Sequence, residues 1–111
     1  MEFTRLEHDI LLWIAERSED AILVGQIRRA IALSREFTGV GSYTSLAETE
    51  SCTPYRGGAY IFGPLIESCE LVKPAISIFH FKDGHLSYLE IVTLEGPFPE
   101  NLSTWTLRDS L

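Results

Sequence analysis

The side chains best able to do chemistry gather near one turn: His80 and His85 flank Asp83-Gly84, Lys82 stands beside them, and Glu90 follows along the same segment. Imidazoles and a carboxylate are the residue types for a metal site or for general acid–base work. A metal site is disfavoured here, because no third ligand lies near in sequence and the Lys82 ammonium repels a cation. Glu90 is the sharper candidate. It interrupts an apolar, β-prone run between Tyr88 and Val92, so its carboxylate is desolvated with a raised pKa, paired with an Arg such as Arg35 or Arg56, or held for a partner. His8-Asp9 is an adjacent pair, but consecutive helical residues point about 100° apart and cannot orient one another simply, so it reads as a solvated face. Cys52 and Cys69 are too few and too far apart for zinc or for a redox pair, and are expected to be ordinary reduced thiols. Gly39-x-Gly41 is no dinucleotide fingerprint, since no third glycine opens a helix after it. No Ser or Cys has a nucleophile-elbow context. No catalytic residue, metal or cofactor is therefore assigned.

The elements that must position these groups follow from pattern. Pro74 to Gly96 places two β-prone runs around Asp83-Gly84, whose tolerance of positive φ predicts a two-residue type I′ hairpin. With Lys82 facing His85, an unbroken register sets Phe81 opposite Leu86, Phe79 opposite Tyr88, Ser77 opposite Glu90 and Ile76 opposite Ile91. Ile76, Ile78, Leu89 and Ile91 then share one side, and Ala75, Phe79, Phe81, Leu86, Tyr88 and Val92 the other, so both faces are apolar and need cover. Upstream, Thr4 and Glu7 form a capping box before helically spaced Leu6, Ile10, Trp13 and Ile14. Ser18, with Glu19 and Asp20, predicts the cap of a second helix that gives way to strand near Ala30. From Ser34 the chain reads as one strand bulged at Gly39 and Gly41, where another backbone approaches closely. Glu48 to Gly58 is a polar loop. Ala59 to Ile66 is a strand with Pro64 at an edge or bulge, Gly96 to Pro99 a break, and Thr104 to Leu107 a last short strand. The expected fold is α+β, one domain over 1–111, with two N-terminal helices on an antiparallel sheet of about five strands.

The 111 residues suffice for a core without staples. Sixteen acidic residues against nine Lys plus Arg give a formal net charge of -7, a field that repels nucleic acid and anionic membrane and favours basic partners. The apolar run Ile10 to Ala15 is too short for a bilayer, and it follows Glu7 and Asp9 rather than Lys or Arg, so a cytoplasmic location is expected.

The segments REFTGVGSYTSL (Arg35 to Leu46) and KDGHLSYLEIVTLEGPFPE (Lys82 to Glu100) resemble small bacterial α+β proteins of polymorphic toxin and contact-dependent growth inhibition loci, immunity proteins among them. The resemblance implies a stoichiometric, non-enzymatic inhibitor of a cognate toxin's C-terminal domain, commonly a basic RNase or tRNase. It further implies that Gly39, Gly41, Gly84 and Glu90 mark the scaffold, and some such toxins also recruit a host factor such as elongation factor Tu. Carboxylates set against a cationic groove would compete with nucleic acid. The toxin-binding candidates are Glu48, Glu50, Glu67, Glu70, Asp83, Glu90 and Glu95, with Tyr55 as an aromatic anchor and Tyr60 and Phe62 as further ones. A second reading is a small ligand-binding or hydrolytic domain using Glu90 with His80 or His8, which requires a cleft. A third is self-association through an apolar hairpin face, giving a monomer or weak homodimer.

Overall fold

Thr4 opens the first helix, α1 (Arg5–Arg17), by the reciprocal pair anticipated from its spacing: its hydroxyl accepts the Glu7 N–H at 3.1 Å and the Glu7 carboxylate accepts the Thr4 N–H at 2.8 Å. This is a computed structural model, described for residues 1–47 and 53–110. The second helix, α2 (Ala21–Arg28), is capped not by Ser18 but by Asp20, whose carboxylate accepts the N–H groups of Ile22 and Leu23 at 2.9 and 3.1 Å. A carboxylate there satisfies two orphan amides and brings the negative charge that a helix N-terminus favours. Ser18 instead closes α1, and its hydroxyl accepts the Asp20 N–H.

Strands β1 (Ala32–Phe37), β2 (Gly41–Leu46), β3 (Tyr60–Glu67), β4 (Ala75–Lys82), β5 (His85–Thr93) and β6 (Thr106–Arg108) form one antiparallel sheet in the order β1-β2-β5-β4-β3-β6. The strand beyond the expected five comes from 34–46, which is a hairpin rather than one bulged strand. Gly39 takes a φ of 88° and the Thr38 N–H reaches the Gly41 carbonyl at 3.0 Å, closing a turn. The anticipated close approach does occur, at Gly41: a Cβ there would lie 1.7 Å from the Ile91 carbonyl oxygen. Pro64 sits at a bulge between Phe62 and Leu65, where the Ser77 hydroxyl donates to its carbonyl at 2.7 Å.

The long hairpin turns as its sequence requires, with φ of 53° at Asp83 and 80° at Gly84, and Lys82 faces His85. Beyond Phe81 and Leu86, however, the register is displaced by one, pairing His80 with Tyr88, Phe79 with Leu89, Ile78 with Glu90 and Ser77 with Ile91. The expected pairing is thus corrected, and the physical reason is in the core. Leu86 and Leu89 are three apart and cannot share a face of a regular strand, yet both are buried at 2% and 1% exposure. One extra residue, Ser87, lets both point inward. Leu89 and Ile91 thereby join Phe79 and Phe81 on the helix side, while Tyr88 and Val92 move to the side of Ile76 and Ile78.

The core lies between the helices and that inner face: Leu6, Ile10 and Ile14 of α1 and Leu23 and Ile27 of α2 pack with Ile66, Phe79, Leu86, Leu89 and Ile91. Gln26 ties α2 to the hairpin turn. Its amide donates to the carbonyls of Gly84 and Thr53 at 2.8 and 3.0 Å and accepts the Leu86 N–H at 2.8 Å. Among the described residues, no helix is long and apolar enough to cross a membrane.

Candidate functional site

With both helices on one side, the opposite side of the sheet carries no described helix, and the displaced register decides what it presents. Glu36, Tyr43, Glu90, Ile78 and Phe62 lie in one row across five strands, and Ser45, Tyr88, His80 and Tyr60 in the next. Tyr60 and Phe62 are 55% and 54% exposed and Tyr43 39%, values far above those of core aromatics. The rings meet one another: His80 stacks on Tyr88 at 4.2 Å and 13°, Tyr43 tilts against Tyr88 at 5.8 Å, and Tyr60 sits edge-on to Phe62 at 5.7 Å. The result is an aromatic surface with one carboxylate near its middle.

That carboxylate is Glu90. Its side chain and that of His80 are 17% and 23% exposed, and His80 Nε2 stands 2.9 Å from Glu90 Oε1. Glu90 also holds the neighbouring Tyr43 phenol above its ordinary pKa, by hydrogen bonding first and then by its negative charge. Neither Arg35 nor Arg56 is its partner, contrary to the expectation from sequence. Arg35 lies on the other side of the sheet, where its guanidinium donates to Glu7 through Nε at 2.9 Å and through Nη2. The Glu7 carboxylate, 1% exposed, also accepts from the Thr44 hydroxyl. Burial, the largest single influence, pushes the Glu7 carboxyl up, but the bonds from Arg35, Thr44 and Thr4 and the Arg35 charge outweigh it and hold the group below its usual range. This cluster borders a cleft of about 380 Å³ whose walls include Phe37, Ser42, Phe98 and Trp105.

The remaining candidates do not converge on Glu90. Glu67 pairs with Arg108 at the β3–β6 margin, and Glu95 with Lys73 at 3.0 Å, both pairs in solvent. Glu70 is spent on structure, accepting the backbone N–H groups of Ser103 and Thr104, each at 2.9 Å, and both hydroxyls. The bonds from Thr104 and then Ser103 lower its pKa. Asp83 is exposed at the hairpin tip, at the opposite end of β4 from Glu67, Glu70 and Glu95, roughly 25 Å away at about 3.3 Å per residue. Tyr55 packs on Phe81 at 4.7 Å beside the core rather than on the aromatic face. Glu48 and Glu50 lie outside the described residues. His8 is exposed, whereas Asp9 accepts the Trp105 indole N–H at 3.0 Å, so that pair is not simply a solvated face.

Tyr43 and Tyr88 are the site residues that sequence reasoning missed as such. The signal that could have found them was the impossible spacing of Leu86 and Leu89, which calls for a bulge and turns Tyr88 and Glu90 to the uncovered side. Comparison of the chain with family profiles, with curated proteins and with solved structures found no match in any of the three.

Proposed function

We propose that the chain is an immunity protein, a non-catalytic cytoplasmic inhibitor that binds a cognate bacterial toxin domain, one with a basic nuclease surface, in a stoichiometric complex. The observation that carries this reading is the uncovered sheet face, where exposed Tyr43, Tyr60 and Phe62 surround Glu90 on a framework buttressed from behind by both helices. Aromatic anchors on a rigid surface are the residues that dominate protein–protein energetics, and ordering costs are small when strands hold them. The formal charge of -7 adds attraction for a cationic partner and accelerates its capture. The loop and margin acids serve that long-range field, while the contact energy resides at the centre of the face. Co-expression with the toxin domain encoded immediately upstream tests the reading. Restored growth and a co-purified complex support it; a domain that neither binds nor is neutralised defeats it.

The hydrolytic alternative has one observation in its favour, the 2.9 Å approach of His80 to Glu90. A base and its orienting carboxylate also need walls that hold substrate and exclude water. Four clefts on the described surface have other linings, and His80 and Glu90 lie instead on the open sheet face among exposed rings, a setting that supports surface recognition better than turnover.

A further inference from the structure

Glu90 is a carboxylate set among rings with no permanent positive partner among the described residues. Its ion-pair partner among the described residues is His80, whose ring is charged only when protonated, and no Lys or Arg pairs with it. Tyr43 and Tyr88 stand beside it with their planes 59° apart, and Glu36 lies beyond Tyr43 in the same row. The face therefore offers ring π-density, a half-desolvated carboxylate and a second negative charge within one patch. A guanidinium satisfies all three at once: it is planar, weakly hydrated, stacks on aromatic rings and donates in a fork that matches a carboxylate. An ammonium is compact and strongly hydrated, and gives up more water for the same place.

We infer that Glu90, Tyr43 and Tyr88 form the receptor for an arginine side chain projecting from the partner protein, with Ile78 and Phe62 receiving the apolar surface around it. The identity of that partner as a toxin rests on the immunity reading, but the receptor itself does not. Sheets with exposed rings also bind single-stranded nucleic acid by stacking, yet those surfaces track phosphates with Lys and Arg. Here the row through Tyr43 carries Glu36 and Glu90, and the chain is acidic overall, so phosphate is repelled where the bases would stack.

The test is an amide-resolved NMR titration of the full chain with acetyl-arginine methylamide, against the citrulline analogue, which keeps the shape and loses the charge. Arginine should perturb residues of β2 and β5 around Tyr43 and Glu90 and bind at least about fivefold more tightly than citrulline. Glu90→Gln should erase that difference while the dispersed spectrum reports an intact fold. Tyr43→Phe should keep most of the binding, since the ring remains, and Tyr43→Leu should lose it. Equal response to citrulline, shifts on another surface, or undiminished binding by Glu90→Gln overturns the receptor, as does oligouridylate occupying this face in arginine's place. Toxin neutralisation surviving Glu90→Gln also removes the receptor yet leaves immunity standing. Arginine binding without neutralisation of the upstream toxin keeps the receptor and removes immunity.

Discussion

Replacing Arg35 with Ala should destabilise the fold by about 3 to 5 kcal/mol near pH 7, because it strips the cation from a carboxylate that the core has already desolvated. The magnitude follows from the surroundings of Glu7, which is 1% exposed and takes two of its side-chain hydrogen bonds from Arg35, leaving only Thr4 and Thr44 as donors after the substitution. A domain of this size has about 5 to 15 kcal/mol in total, and urea lowers it by about 1 to 3 kcal/mol per molar, so the unfolding midpoint should fall by at least about 1 M. Trp13 in α1 and Trp105, bonded to Asp9 of the same helix, make intrinsic fluorescence a direct probe. The pH dependence has a definite sign. In the native protein Glu7 is held below its unfolded value, so its stabilisation is present above that value and fades as pH falls through the folded one. In Arg35→Ala burial prevails and the carboxyl rises, so the penalty is full near pH 7 and relieved toward about pH 4. The gap between the two proteins must therefore narrow on acidification. Glu7→Gln combined with Arg35→Met should recover most of the loss, since no buried charge remains. A midpoint change below about 0.5 M, or a gap unaltered between about pH 7 and pH 4, refutes the electrostatic account.

Two further substitutions probe what holds the aromatic face in place. Gln26→Leu should cost roughly 2 to 4 kcal/mol by taking the side-chain partner from the Leu86 N–H and the Thr53 carbonyl and leaving the Gly84 carbonyl with the Tyr55 N–H alone, and hydrogen exchange at Leu86 should accelerate ahead of the remaining β5 amides. Gly41→Ala forces a Cβ into the Ile91 carbonyl, so it should lose roughly 3 kcal/mol or more and displace Tyr43 from Glu90. Thermal melting, together with the Tyr43 ring signals, checks both effects; an Ala variant with native stability would mean that β2 and β5 do not approach as closely as described.

Local signals were sufficient for the first helix and the long hairpin, but not for 34–46, where one bulged strand was expected and two paired strands formed. The Thr4–Glu7 box, the Asp83-Gly84 turn and the alternation of β4 each depend on a few neighbouring residues, and side-chain hydrogen bonds and φ preferences act over that range. The composition by itself set the acidic field. Which face Glu90 occupies was not legible locally, because one residue at Ser87 reverses every side chain beyond it and only the shared burial of Leu86 and Leu89 selects that register. The partners of the charged groups were undetermined for the same reason. Arg35 could serve Glu7 or Glu90 as far as sequence goes, but the sheet puts it on the helix side, 28 positions from Glu7 in the chain and within hydrogen-bonding distance in space. Secondary structure is decided by neighbours in sequence; the site is decided by which strands pair and in what register, which is a property of the packed core.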